Sequence, residues 1–93
     1  MGFQWDEAKS VANEGKHGIS FLQAAQIFRG PILKQPDDRK DYGEQRVIAL
    51  GAHDGNVLCV VFTERDGDLR LISARKASKH EREQYQSLSH SAV

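Results

Sequence analysis

The chain has 93 residues, with 13 Lys and Arg against 13 Asp and Glu, and its formal net charge is zero. This balance argues against a protein that binds polyanions indiscriminately, because such binding draws on many phosphate contacts at once. The length and composition predict one globular domain over residues 1–93, and the lone Cys59 excludes an intrachain disulfide.

The sequence lacks targeting signals and metal motifs. Its longest apolar run, residues 57–62, is far shorter than the roughly 20 residues that a membrane helix needs, and the first residues do not resemble a signal peptide. No spacing of cysteine and histidine is typical of a zinc site. We therefore expect a cytoplasmic protein with no membrane partner, no metal and no cofactor.

The first third of the chain predicts two helices. Asp6 is a good N-cap for a helix over residues 7–16, and Gly18 suits the left-handed residue that ends it. Ser20 begins a capping box for a second helix over residues 21–28, which is apolar around much of its circumference. We expect this second helix to be largely buried.

The second half of the chain predicts extended structure. Three runs rich in β-branched residues cover residues 46–51, 57–65 and 69–75. Asp54-Gly55 and Asp66-Gly67 separate them and are typical of tight turns between antiparallel strands. The middle run is apolar on both faces until Thr63, which predicts a central strand.

Shorter elements complete the predicted domain. Residues 3–5 form a short strand or arm, residues 32–33 a short strand, and residues 35–43 a polar loop. Ser78 begins a second capping box, for a final helix over residues 79–88. The expected fold class is α+β: a small antiparallel sheet of three or four strands, two helices near the amino terminus and one at the carboxyl terminus.

Basic residues concentrate where the last predicted strand meets the final helix. The cluster consists of Arg70, Arg75, Lys76, Lys79, His80 and Arg82, opposed only by Glu81. Guanidinium groups bind phosphate through paired hydrogen bonds, and Tyr85, which follows Arg82 by three residues, can stack on a base or supply a hydroxyl. The alternative is a solvated helix face with Tyr85 packed on the sheet.

Glu64 and Arg65, at the end of the central predicted strand, form a second candidate. Glu64 can accept a proton, or it can form a surface ion pair with an arginine of the next strand. Cleavage of RNA without metal needs a base for the 2′-hydroxyl, an acid for the leaving 5′-oxygen and cations for the developing charge. Glu64, His80, Tyr85 and the arginines supply these types, but spacing alone does not bring them together. His17 lies at a predicted helix end, where it can stabilise the helix dipole. This is the alternative to a role in the site.

Seven short stretches, in order along nearly the whole chain, carry a resemblance to a known family. They are Phe3-x-Trp5-Asp6-x-x-Lys9 with Asn13, Lys16-His17-Gly18-Ile19-Ser20-Phe21, Asp41-Tyr42-Gly43-Glu44-x-Arg46, Ala49-Leu50-Gly51, Thr63-Glu64-Arg65, Ile72-Ser73-Ala74-Arg75-Lys76-Ala77 and Glu81-Arg82-x-x-Tyr85. With these stretches the chain resembles the BrnT toxins, the ribonuclease half of the BrnT/BrnA type II toxin–antitoxin pair.

The resemblance implies a fold, an activity and partners. The fold would be RelE-like, and the activity a cytoplasmic endoribonuclease that arrests translation, acting on RNA that is free or on the ribosome. A BrnA-like antitoxin would cover the toxin and bind DNA, so that contact with DNA is only indirect. The catalytic candidates are Glu64, Arg65, Arg75, Lys76, Arg82 and Tyr85, and the RNA-binding candidates are Arg46, Arg70, Lys79, His80 and His17.

Two hypotheses of different classes follow. The leading one is a metal-independent endoribonuclease that uses attack by the 2′-hydroxyl. The rival is a non-catalytic module that keeps the fold and binds RNA or a protein. Direct binding of DNA is not favoured, because no basic recognition helix follows a helix-turn pattern.

Overall fold

A computed structural model describes residues 2–91 of the chain. Its elements are β1 (Phe3–Gln4), α1 (Glu7–His17), α2 (Phe21–Ala24), a 3-10 helix (Ala25–Arg29), β2 (Ile32–Pro36), β3 (Val47–His53), β4 (Asn56–Arg65), β5 (Asp68–Lys76) and α3 (Lys79–Ser91). The strands form one sheet in the order β1-β5-β4-β3-β2. The α+β class is confirmed. None of the helices in the described range is long and apolar enough to cross a membrane.

The helix α1 has the predicted caps at both ends. The Asp6 carboxylate accepts hydrogen bonds from the backbone N–H groups of Ala8 and Lys9, which have no partner inside the helix. Gly18 ends the helix with φ at 74°, a conformation that costs glycine little. The helix extends one residue past the predicted end.

The second helix is shorter than predicted. The capping box at Ser20 is present, but the α-helical winding lasts only from Phe21 to Ala24 and continues as the 3-10 helix. In this tighter winding the Gly30 N–H donates to the Ile27 carbonyl at 3.3 Å. Phe21 and Ile27 are fully buried but Leu22 is 63 % exposed, so the apolar pattern predicts the burial of most of the segment, and it predicts the helix type incorrectly.

The three central strands form the predicted antiparallel meander, with their ends moved by one or two residues. Both connections are two-residue turns in which all four residues have positive φ: 51° and 80° at Asp54 and Gly55, 54° and 83° at Asp66 and Gly67. These values are typical of type I′ turns. The final helix continues three residues beyond the predicted end at residue 88.

The short strands predicted over residues 3–5 and 32–33 are present as β1 and β2, but the sheet that they complete has five strands and is mixed, whereas an antiparallel sheet of three or four strands was predicted. β1 pairs in parallel with β5, and the Leu69 N–H donates to the Gly2 carbonyl at 3.0 Å. β2 extends to Pro36 through part of the predicted loop, and it forms the opposite edge of the sheet. Proline is compatible with an edge strand, where its missing N–H leaves no ladder bond unmade.

The sheet separates two apolar cores. The larger lies on the face covered by α1, α2 and the 3-10 helix, and includes Phe21, Ile27, Val60 and Phe62. The smaller lies on the face covered by α3, with the members Leu50, Cys59, Ala77 and Tyr85 and the neighbours Leu33, Ile48 and Val57. We call these the first face and the second face.

Candidate functional site

The helix α3 packs on β2 and β3 and so covers one half of the second face. Tyr85 is only 9 % exposed and lies in the smaller core with Leu50 and Cys59. Its hydroxyl donates to the carbonyl oxygen of Pro31 at 2.8 Å. Tyr85 therefore anchors α3 to the sheet, and its hydroxyl already has a partner.

The rest of the second face carries a row of arginines. Alternate residues of a strand point to the same face, and residues paired across two strands lie side by side. Cys59, a member of the smaller core, pairs with Arg75, and Thr63 pairs with Arg70. Arg65 continues the row, since it follows Thr63 by two residues at the end of β4.

Arg75 is bound to Glu81 at the junction of β5 and α3. Its two terminal nitrogens donate to the two carboxylate oxygens at 2.7 and 3.0 Å. The hydrogen bonds from Arg75, together with one from the Ser78 N–H, lower the pKa of Glu81 to about 2 against the opposing effect of burial. Glu81 therefore stays ionised at neutral pH, which makes it a weak proton acceptor.

Arg39 brings another guanidinium to this face from the loop over residues 37–46. Its Nε and Nη2 donate to the two carboxylate oxygens of Asp37 at 2.7 and 2.8 Å. The Asp37 side chain is completely buried, and the hydrogen bond from Arg39 is the main cause of its lowered pKa. Glu81 raises the pKa of Arg75, and the positive charge of Arg39 opposes this rise. Arg39 therefore lies within electrostatic reach of Arg75.

Glu44 joins two arginines at the far end of the same face. Its carboxylate accepts from Arg46 Nε at 3.3 Å and from Arg65 Nη2 at 3.4 Å. The Arg46 guanidinium also lies over the ring of Tyr42, with its central carbon 3.9 Å from the ring centroid. The loop and β4 thus bring together two cations, one carboxylate and one aromatic ring.

We call these five arginines the arginine face: Arg39, Arg46, Arg65, Arg70 and Arg75. Three carboxylates, those of Asp37, Glu44 and Glu81, are bound to them, which leaves an excess of positive charge. Along β4, Arg65 lies six positions after the partner of Arg75, which is roughly 20 Å at the usual rise of a strand. The face is therefore long enough to contact more than one phosphate of an extended strand.

A cleft of about 1000 Å³ opens between the loop and the ends of β2 and β4, and Arg46 of the arginine face lines it. Arg46, Tyr42, Lys34, Lys40 and Glu64 are among its lining residues. Glu64 is exposed, and its carboxylate has no hydrogen-bond or ion-pair partner among the residues that the structure describes. The ion pair with an arginine of β5, one of the two alternatives for Glu64, is not present among the described residues; it is Arg65 that pairs, with Glu44.

The remaining predicted site residues lie in three places. Lys79, His80 and Arg82 are exposed in the first turn of α3, where Arg82 donates to the Ala77 carbonyl at 3.1 Å. Lys76 pairs with Leu58 of the first core, so it points to the first face, and it lines a small cleft of about 230 Å³. His17 ends α1, which packs on that same face. Glu64 pairs with Leu69 of the larger core, so its side chain points to the face opposite Arg65. The structure therefore places Arg46 and Glu64 in the lining of one cleft and joins Arg46 to Arg65 through Glu44, whereas Arg82, Lys76 and His17 lie elsewhere.

Two alternative chemistries concern cysteine and metal ions. Burial raises the pKa of the Cys59 thiol to about 11, so this residue stays protonated within the smaller core. Between residues 2 and 91, no group of three or more His, Cys, Asp and Glu side chains is arranged to hold a metal ion.

Sequence reasoning did not assign roles to Arg39, Tyr42 and Glu44. Arg39 and Tyr42 belong to the stretch over residues 35–43 that was predicted to be a polar loop, Glu44 follows that stretch directly, and Tyr42 and Glu44 lie in the motif Asp41-Tyr42-Gly43-Glu44-x-Arg46. The available signal was the combination of an aromatic residue with Lys, Arg and Glu in that stretch, since a merely solvated loop does not need a tyrosine.

A comparison with protein families identifies the family of the chain. Residues 5–81 match the family model described as the ribonuclease toxin, BrnT, of type II toxin–antitoxin systems. The chain belongs to the BrnT family. The matched range includes the whole arginine face, Glu64 and Glu81, and it ends before Arg82 and Tyr85. BrnT membership indicates a ribonuclease toxin with an antitoxin partner and RNA as substrate. No curated protein matches the chain.

Proposed function

We propose that this chain is a metal-independent endoribonuclease that cleaves RNA in the cleft beside Glu64. The RNA strand would lie along the arginine face, with the scissile phosphate next to Arg46 and Arg65. The observation that carries the proposal is the placement of an unpaired carboxylate, Glu64, in one cleft with Arg46 of the Arg46–Glu44–Arg65 group. The RelE-like character of the fold remains a prediction from the resemblance.

The proposed reaction needs only groups that line or border the cleft. Glu64 takes the proton of the 2′-hydroxyl, and the 2′-oxygen forms a bond to phosphorus. Arg46 and Arg65 stabilise the extra negative charge on the phosphate oxygens. The bond from phosphorus to the 5′-oxygen then breaks, and the 5′-oxygen takes a proton from a cleft ammonium group, for which Lys34 and Lys40 are positioned. The products are a 2′,3′-cyclic phosphate and a 5′-hydroxyl.

The other predicted residues take supporting roles in this proposal. Arg70 contacts a second phosphate along the strand, while Arg75, which stays bound to Glu81, and the exposed Lys79, His80 and Arg82 extend the positive surface past the β5–α3 junction. Tyr85 holds α3 in place through the Pro31 carbonyl. Lys76 and His17 lie on the first face and have no part in the cleavage step.

We also propose how the activity is used and controlled. Cleavage in the cytoplasm, of messenger RNA that is free or on the ribosome, would inhibit translation and arrest growth. A BrnA-like antitoxin would neutralise the toxin by covering the arginine face with acidic side chains. Any contact with DNA would come from the antitoxin.

The direct test is cleavage of a single-stranded RNA by the purified chain in EDTA. We expect cleavage in EDTA with cyclic phosphate ends, and a fall of about 10²- to 10⁴-fold in rate for Glu64→Gln. Arg65→Ala should cost about 10²- to 10³-fold. The matched controls are Glu14→Gln and Arg29→Ala, which change exposed residues away from the cleft and should keep the wild-type rate.

Three results would contradict the proposal. Activity that is lost in EDTA and restored by magnesium would exclude the metal-independent reaction. A wild-type rate in Glu64→Gln would exclude this carboxylate as the base. RNA binding without cleavage, together with normal growth of cells that express the chain, would favour the non-catalytic module instead.

A further inference from the structure

Tyr42 presents an aromatic ring to the cleft that the cleavage step does not use. The ring is half-buried, it lines the cleft, and the Arg46 guanidinium lies over one of its faces at 3.9 Å. The other cation nearby, the Lys40 ammonium, lies 5.1 Å from the centroid on an exposed side chain, which a ligand can displace.

The loop holds the Tyr42 ring in a defined place. The Asp37 N–H donates to the Arg46 carbonyl at 2.9 Å and closes the base of the loop, while the buried Asp37 carboxylate binds Arg39. Next to the ring, the Gly43 N–H donates to the Asp41 carboxylate at 2.9 Å, with Gly43 in the left-handed conformation at φ 73°. A ring that is fixed before a ligand arrives loses little conformational entropy on binding.

We infer that Tyr42, backed by Arg46, is a subsite for an unpaired nucleobase next to the scissile phosphate. Stacking on aromatic rings and guanidinium planes is a common way for proteins to hold the bases of single-stranded RNA. The inference deepens the proposed function and rests on it, because it names the substrate class of the same cleft. Bases in a duplex are stacked on their neighbours and cannot reach the ring, so the substrate is single-stranded RNA.

The size of the cleft and its cations agree with this ligand. A volume of about 1000 Å³ lies at the upper end of the usual range for ligand sites, and so has room for a base together with its phosphate. Arg46 lies between the two parts of such a ligand, since it contacts Tyr42 and also forms a group with Glu44 and Arg65. A base on Tyr42 would thus fix the position of the phosphate relative to Glu64.

A mutant cycle in binding tests the inference. The probe is a 2′-O-methyl oligoribonucleotide, which has no attacking hydroxyl and is not cleaved, together with copies in which one base at a time is removed. We expect the wild type to lose about 10-fold in affinity at one abasic position, and Tyr42→Ala to lose as much on the intact probe. Tyr42→Ala should lose nothing more at that abasic position, because the two changes remove the same contact.

Two control variants separate stacking from other effects. Tyr42→Phe keeps the ring and should bind all probes like the wild type. Arg65→Ala should weaken binding by the same factor for intact and abasic probes, because its contact is with phosphate. The inference is overturned if, at every abasic position, the fold-loss in affinity from Tyr42→Ala multiplies with the fold-loss from removing the base. It is also overturned if Tyr42→Ala binds the intact probe like the wild type.

The binding assay and the cleavage assay test the base subsite and the proposed function separately. A wild-type chain that shows the coupling at Tyr42 but does not cleave unmodified RNA would contradict the proposed function and support the base subsite. A chain that cleaves RNA in EDTA without any coupling at Tyr42 would keep the proposed function and contradict the subsite.

Discussion

The guanidinium of Arg75 and the carboxylate of Glu81 form two hydrogen bonds, of 2.7 and 3.0 Å, across the junction between β5 and α3. The same carboxylate accepts from the Ser78 N–H at 2.8 Å, and the Glu81 N–H donates to the Ser78 hydroxyl at 3.2 Å. Glu81 therefore caps α3 and binds an arginine of the face at the same time. Because the guanidinium of Arg75 is already paired, the basic cluster is less positive than its sequence indicates.

This ion pair predicts a specific loss of stability in acid. The pKa of Glu81 is lowered from 4.5 to about 2, so folding favours the ionised form. The contribution is fully present above the unfolded value near 4.5, and it is lost as the pH falls from there through 2. Solvent screens the pair because Arg75 is 43 % exposed, so we expect on the order of 1 kcal/mol. Urea unfolding of the wild type and Glu81→Gln across this pH range measures it.

The variant Glu81→Gln should be less stable than the wild type at pH 6, and this difference should shrink toward pH 2. The matched control is Glu83→Gln, which changes an exposed residue of the same helix and should follow the wild-type curve. A difference between Glu81→Gln and the wild type that stays constant with pH would show that the pair does not depend on the charge of Glu81.

Asn13 predicts a larger effect on stability. Its buried side-chain amide donates to the carbonyls of Ile19 and Ala74, both at 2.8 Å, and accepts from the Ala74 N–H at 3.2 Å. Asn13→Ala leaves these backbone groups without partners, at a cost of about 2–4 kcal/mol in the free energy of unfolding. Asn56→Ala, at an exposed asparagine, should cost under about 0.5 kcal/mol in the same urea experiment. Equal effects would contradict the role of Asn13.

The elements that the sequence predicts well are those with local causes. Asp6 and Gly18 bound α1 through bonds to residues within four positions, and Asp54-Gly55 determines a turn by its own backbone preference. The alternating and apolar runs likewise predict the three central strands. In each case the deciding interaction lies inside a window of a few residues.

Sequence reasoning predicted a short strand or arm over residues 3–5 and a short strand over residues 32–33, but how these segments join the sheet depends on distant partners. β1 is only two residues long, and it forms because Leu69, far along the chain, bonds to the Gly2 carbonyl. β2 extends to Pro36 because β3 offers a partner for each of its residues. The local pattern of these short segments does not reveal their partners, so the sheet was predicted with three or four strands instead of five.

The candidate site shows the same division. Alternation within β5 predicts that Arg75 and Lys76 point to opposite faces, yet both were placed in one cluster because they are neighbours in sequence. The positions of Arg39 and Tyr42 depend on how the loop folds back over the sheet. The sequence pattern does not predict the path of this loop. Arg46 was among the predicted RNA-binding residues, but its contact with Tyr42 could be identified only in the folded structure.

Gly51 lies where β3 packs closely against the 3-10 helix. We expect that a residue with a side chain does not fit at this position. An added Cβ would lie 2.7 Å from the Cβ of Ile27, which is backbone-anchored and cannot move away alone. Gly51→Ala should therefore destabilise the chain by about 1–3 kcal/mol. Gly15→Ala is the matched control, because no atom lies within 4 Å of the added methyl, and in a helix it should stabilise by about 0.5–1 kcal/mol. Melting temperatures that move in the same direction would contradict this account.

The arginine face predicts a weak dependence of RNA binding on salt. Five arginines face three carboxylates that already bind them, so the face has an excess of two positive charges for phosphate. For a single strand the slope of log K against log salt is about −0.7 per neutralised phosphate, which gives about −1.4 for two contacts. Fluorescence anisotropy with the 2′-O-methyl probe at a series of salt concentrations measures this slope. Arg65→Ala should reduce it to about −0.7, whereas Arg29→Ala, outside the face, should leave it unchanged. A wild-type slope steeper than about −3 would mean that more than four phosphates are bound. Such binding would extend well beyond the arginine face, and the zero net charge of the chain would then no longer limit its contact with RNA.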